Sequence, residues 1–138
     1  MRHSMTEKPS LSRRLYDMGD EMFTGSVTSL SEGMERGEFS ALELTRAMLA
    51  RIERIDGAMN AWLHIDAEGA LAQADRVDAR RARGDSLGAL AGIPVGVKDM
   101  ICAAGLPTRA ASKMLEHFVP PYDAHVVTRL KDADAVIL

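Results

Sequence analysis

The chain has 138 residues, which sets its size at one domain at most. Hydrophobic residues make up 46% and charged residues 27%, the balance of a globular protein rather than a disordered one. The net charge of −3 leaves no basic excess for wrapping nucleic acid, and no apolar stretch is long enough for a membrane span. Cys102 is the only cysteine, so no intramolecular disulfide can form, which suits a reducing, cytoplasmic setting.

Residues 1 to 25 are polar and irregular. Met1 to Arg14 are basic and serine-containing but lack the apolar centre of a secretory leader, and Glu7 and Asp17 count against an organelle transit peptide. This stretch reads as a disordered or wrongly started extension, with Met5, Met18 and Met22 as alternative starts. The folded unit is expected over residues 26 to 138.

Val27 to Arg36 carry a helical pattern that Gly37 breaks. Ser40-Ala-Leu-Glu43 is a capping box, in which the serine oxygen takes an amide of the first turn and the glutamate reaches back to the cap amide. The helix it opens is expected to run to about Ile55, because Leu44, Met48, Ile52 and Ile55 share one face, and Asp56-Gly57 is the expected stop. Ala58 to Ile65, with Trp62, reads as a short extended piece. Ala70, Ala74 and Val77 then mark the apolar stripe of a helix from Ala67 to Arg83, stopped by Gly84. The charges of Arg76 to Arg83, interrupted by Asp78, read as its solvated face.

From Gly88 the character changes. Leu90 to Val97 is an apolar run rich in β-branched residues, the pattern of a buried strand ending at Lys98-Asp99. A loop marked by Gly105-Leu106-Pro107 and a short helical turn at Ser112 to Glu116 follow. After the rigid Pro120-Pro121, Asp123 is the expected N-cap of a helix through about Ala133. Ala135 to Leu138 reads as the next strand. Strand, helix and strand form a βαβ unit with parallel neighbours and a right-handed crossover. A parallel pair needs further strands and cover on both faces, so the fold class is α/β with the unit incomplete.

Lys98 stands where open α/β sheets place their sites, at the carboxyl end of a strand. It is either a lysine pointing into solvent or, if stripped of water, a neutral amine able to accept a proton. Neither a phosphate loop nor a dinucleotide fingerprint is present, because Gly96-Val97-Lys98-Asp99 fails both in spacing and in its acidic neighbour. Asp99 reads as a brace for the loop after the strand. His3, His64, His117 and His125 have no metal-ligand spacing, so surface or cap roles are expected. Cys102 reads as a small buried or half-buried thiol. Ser112 and Lys113 are adjacent and do not face each other on a helix, so they read as a loop and cap feature.

Leu90-Ala-Gly92-Ile-Pro94-Val-Gly96-Val-Lys98-Asp99 resembles the strand of amidase signature enzymes that carries their catalytic lysine. Thr108, Ala111-Ser112-Lys113-Met114-Leu115, Pro120-Pro121-Tyr122-Asp123-Ala124, Val126-Val127, Arg129-Leu130-Lys131 and Ala135-Val-Ile-Leu138 fit the same pattern in order. Within the family the combination is most similar to the A-subunit branch of the glutamyl-tRNA(Gln) amidotransferases, over residues 27 to 138 and most specifically from Gly88 onward. The resemblance implies N-terminal helices and a βαβ piece of a mixed sheet covered by helices. It also implies hydrolysis of a glutamine-type carboxamide by a Ser, cis-Ser, Lys triad, with Lys98 as the lysine. No other triad member maps here, since both serines would lie beyond Leu138, so an N-terminal portion inactive on its own is expected. No cofactor is implied for this chain. ATP and Mg would belong to a partner subunit, and the implied partners are a small amide and amidotransferase subunits B and C, without direct nucleic-acid or membrane contact. The alternatives are a non-catalytic truncated product or partner-binding fragment, and an unrelated small α/β binding module. Two positions depart from the pattern. Met100 stands where Asn is usual, and Asp134 where Gly is usual, at a turn whose left-handed backbone Asp tolerates less well.

Overall fold

The computed structural model describes residues 25–138. The extension expected over residues 1 to 25, with His3 and the alternative starts, lies outside the described residues except for Gly25. Six regular elements follow in order: α1 Val27–Glu35, α2 Ala41–Met59, α3 Ala67–Ala82, β1 Pro94–Val95, α4 His125–Asp132 and β2 Val136–Ile137, with a 3-10 turn Lys113–Leu115 before α4. β1 and β2 pair in parallel, Pro94 opposite Val136 and Val95 opposite Ile137, and α4 is the crossover. The α/β unit read from the sequence is therefore present. None of the helices among the described residues is long and apolar enough to cross a membrane.

The helix starts follow local chemistry. Ser26 Oγ accepts from Ser29 N at 3.1 Å and opens α1. Both halves of the capping box open α2, Glu43 N donating to Ser40 Oγ at 3.0 Å and Ser40 N to Glu43 Oε2 at 2.8 Å. Asp66 Oδ1 accepts from Gly69 N at 3.0 Å and opens α3.

α2 runs past its expected stop. Asp56 and Gly57 stay helical, and the helix ends at Met59 with Asn60 left-handed at φ 51°. A helical glycine costs only about 1 kcal/mol, which the surrounding turns outweigh. Asp56 acts one turn later, its Oδ1 accepting from Ala61 N at 2.8 Å and Trp62 N at 3.3 Å. The expected extended piece therefore begins inside the helix, and residues 60 to 65 form no strand.

α3 lies along α2 and covers β2. Ala70, Ala74 and Val77 are buried as their spacing implied, with Leu30, Met34, Leu44, Ile52, Ile93 and Val136 in the same core. The opposite face is not simply solvated. Asp78 reaches across to the start of α2, where its carboxylate accepts from Ala41 N and Leu42 N, each at 2.9 Å. Arg81 pairs with Asp78 at 3.4 Å and donates to Ala91 O at 3.2 Å, while Arg80 bonds Ser86 O at 2.7 Å and pairs with Asp134. These charges join elements because backbone groups at the ends of neighbouring segments need partners there.

The strand is shorter than its apolar run. Leu90 to Gly92 form turns, Ala91 N bonding Gly88 O at 3.1 Å and Ile93 N bonding Leu90 O at 2.9 Å. Gly92 has φ +83°, and a Cβ there would come within 2.5 Å of Ala41 Cβ. Only after this bend does the chain pair, Val136 N donating to Ile93 O at 2.9 Å and Leu138 N to Val95 O at 3.1 Å. On its other side β2 meets a side chain: Ile137 N donates to Gln73 Oε1 at 3.0 Å, and Gln73 Nε2 to Ile137 O at 3.2 Å.

α4 starts one residue later than expected. Ala124 is its N-cap and makes no side-chain bond. Asp123 instead accepts from Ala104 N at 2.7 Å and from Lys131 Nζ at 2.7 Å, bracing the preceding loop against the helix. Asp134 does adopt the left-handed backbone, at φ 61°. Its carboxylate accepts from Gly88 N at 2.6 Å and pairs with Arg80, an anchorage that glycine lacks.

Candidate functional site

Beyond β1 the chain passes through Gly96 and Val97 to Lys98, in the lining of an open cleft of about 850 Å³. Trp62, Gly96, Lys98, Asp99, Thr108 and Leu138 are among its lining residues. One wall comes from the α2–α3 connection. A Cβ at Gly96 would stand 2.8 Å from the Trp62 ring, so the indole packs directly on the backbone two residues before Lys98.

The strand ends at Val95, short of the expected Lys98-Asp99, so Lys98 lies three residues past its carboxyl end, and it is exposed. Its Nζ forms no hydrogen bond or ion pair among the described residues. These residues alone leave the amine open to water.

The backbone around it is tightly specified. Lys98 O accepts from Ile101 N at 2.8 Å. Asp99 Oδ1 accepts from Arg109 N at 3.1 Å, and Asp99 O from Ala110 N at 3.3 Å. The bracing role read for Asp99 therefore has definite partners in the segment before the 3-10 turn. There Ala110 and Ala111 are both left-handed, at φ 49° and 55°. For a residue with a Cβ that conformation costs about 1–2 kcal/mol, so the surroundings must hold it. Thr108, 4% exposed, helps by donating its N–H to Phe118 O at 3.0 Å.

The remaining sequence candidates stay apart from this arrangement. Ser112 precedes the 3-10 turn without a side-chain cap bond, and Lys113 is exposed. Cys102 is half-buried, with its Sγ 3.8 Å from Tyr122 Oη. His64 lines the cleft and is exposed, as are His117 and His125 away from it. Among the described residues, no group of three or more His, Cys, Asp and Glu side chains could hold a metal ion. Sequence reading misses Trp62, Leu63 and His64 as cleft residues, because no local pattern ties the α2–α3 connection to the end of β1.

Residues 43–138 match the Amidase family. The chain is 55% identical over 113 residues to the A subunit of the Streptomyces coelicolor glutamyl-tRNA(Gln) amidotransferase, a stretch covering 82% of this chain and 23% of that protein. In structure it is similar to the native peptide amidase of Stenotrophomonas maltophilia, with TM-score 0.77 and 39% identity over 82% of this chain and 23% of that one. An amidase family protein of Bacillus anthracis gives TM-score 0.82 at 28% identity, over 99% of this chain and 27% of that one. The chain spans about a quarter of the length of these relatives.

Proposed function

The chain belongs to the amidase family, and from that premise we propose that it supplies the lysine of an amide-hydrolysing site, with Lys98 as the proton acceptor. The observation that carries this reading is Lys98 itself, just past the carboxyl end of a parallel strand and in the lining of the cleft. The substrate class is a small carboxamide of the glutamine type. As in the triad implied by the family resemblance, a serine hydroxyl attacks the amide carbon while its proton passes through a bridging serine to the lysine amine. The C–N bond breaks, the proton returns to the departing nitrogen, and ammonia leaves. Water then attacks the acyl ester and releases the carboxylate and the serine.

In this reading both serines come from outside the 138 residues. So does the cover over the open side of the cleft. Without those serines Lys98 has no nucleophile to activate. The chain by itself is therefore inactive. Its partners would be amidotransferase subunits B and C, with ATP and Mg handled by one of those partners, in a cytoplasmic setting.

The test grafts residues 43–138 onto the matching stretch of the Streptomyces coelicolor protein, and measures ammonia release from glutamine. The graft is expected to work and Lys98→Ala to lower turnover by about 10³-fold, the scale of lost acid–base catalysis. Parent-like turnover in Lys98→Ala would sink the assignment. A second reading, a non-catalytic partner-binding piece, is favoured by the apolar cleft rim, where Leu63 is 63% and Met100 60% exposed. It predicts an inactive graft that still binds its partner subunits.

A further inference from the structure

We infer that Asp99 is a positioning residue for Lys98, acting through the neutral geometry of one oxygen rather than through its charge. The inference rests on Lys98 being the base. Three bonds converge on the two residues: Ile101 N to Lys98 O at 2.8 Å, Arg109 N to Asp99 Oδ1 at 3.1 Å and Ala110 N to Asp99 O at 3.3 Å. The first closes a turn three residues past the strand. The other two fasten that turn to the neighbouring segment, at the entry to the left-handed pair Ala110 and Ala111. Asp99 thus joins the segment bearing the lysine to a strained segment that has to be held from outside.

The form of the contact separates geometry from charge. Asp99 is half-buried, and no cation pairs with it among the described residues. The hydrogen bond to its carboxylate is made at Oδ1, and the donor is a neutral backbone amide. An asparagine oxygen in the same place accepts the same bond. An alanine loses the bond to Arg109 N and leaves only the main-chain bond from Ala110 to hold the lysine segment. A shift of about 1 Å in a catalytic group is enough to cost about a hundredfold in rate.

The experiment uses the grafted enzyme with Asp99→Ala and Asp99→Asn beside Lys98→Ala, all normalised to the folded fraction by circular dichroism. Asp99→Ala is expected to lower kcat by about tenfold to a hundredfold, with KM changed by less than about threefold, and to move the limb of the kcat–pH profile that reports the lysine. Asp99→Asn is expected to stay within about threefold of the parent. Three results at Asp99 overturn the inference. One is parent-like kcat in Asp99→Ala. Another is Asp99→Asn as impaired as Asp99→Ala, which would mean that the charge or proton is used. The last is a loss in Asp99→Ala that vanishes on normalisation, with the pH profile unmoved, which would mean a merely structural role. Inactive Lys98→Ala beside parent-like Asp99→Ala removes the positioning role and leaves Lys98 as the base. Active Lys98→Ala removes both.

Discussion

Replacing Asp78 by Ala tests how α2 is started. Three of the first amides of that helix are met by side chains: Ala41 and Leu42 by the two Asp78 oxygens, each at 2.9 Å, and Glu43 by Ser40 Oγ at 3.0 Å. Ala41 is 0% exposed with Asp78 in place, and its N–H loses its acceptor once the carboxylate is gone. A hydrogen bond to a charged group contributes about 1.5–3 kcal/mol, and loss of a helix cap costs about 0.5–2 kcal/mol. The two overlap, because both count the same orphan amides, and Leu42 is partly rehydrated. The expected cost of Asp78→Ala is therefore about 2–4 kcal/mol. Asp78→Asn keeps one acceptor but aims an NH2 group at the other amide, so about half of that loss is expected. Arg81→Ala removes a 3.4 Å ion pair and one bond to Ala91 O, and is expected to cost about 1 kcal/mol. Urea unfolding followed by circular dichroism measures all three. An Asp78→Ala change under about 0.5 kcal/mol, or Asp78→Asn as damaging as Asp78→Ala, would refute the view that this carboxylate is the N-terminal acceptor of α2.

At Asp134, Gly relieves the left-handed backbone by about 1 kcal/mol but removes the acceptor of Gly88 N and the partner of Arg80, so Asp134→Gly should lose about 1–2 kcal/mol net in urea unfolding. Asp134→Ala keeps the strain and loses the bonds, and should be worse; a glycine variant more stable than the parent would contradict this. Asp123 is held below the usual carboxylate range by its hydrogen bond from Lys131, and then by the Ala104 amide. Its contribution is accordingly intact above the ordinary Asp value of about 3.9 and fades as pH falls through the lower native value. The stability gap between parent and Asp123→Asn, measured by urea unfolding from pH 7 down to pH 3, should narrow below about pH 4; a constant gap would show that ionised Asp123 contributes nothing.

What is legible in the sequence is local or periodic. The Ser40–Glu43 box, the Ala70–Ala74–Val77 stripe and the stop at Gly84 are each written within a few residues, and each is present. The parallel strands follow from element order, since a helix between two apolar runs leaves little other topology. What cannot be read depends on residues distant in sequence. Asp78 resembles one charge on a wet face because its partners at Ala41 and Leu42 lie 37 and 36 positions away. Asp123 has the right type for a cap, but Ala104 and Lys131 compete for its oxygens. The strand reads too long because hydrophobicity does not reveal that Gly92 must turn to clear Ala41. For the cleft, Lys98 is recognisable from its place after an apolar run, whereas Trp62 is not, because only the folded chain lays it on Gly96.

The carboxamide of Gln73 imitates a peptide group. It offers one donor and one acceptor to Ile137, the two contacts that a neighbouring strand would make at that point. β2 is therefore already satisfied on its outer side by a plug one side chain long, held on a helix, and a visiting strand must first evict it. The plug blocks edge-to-edge pairing at that position, the hazard of an unpaired strand edge.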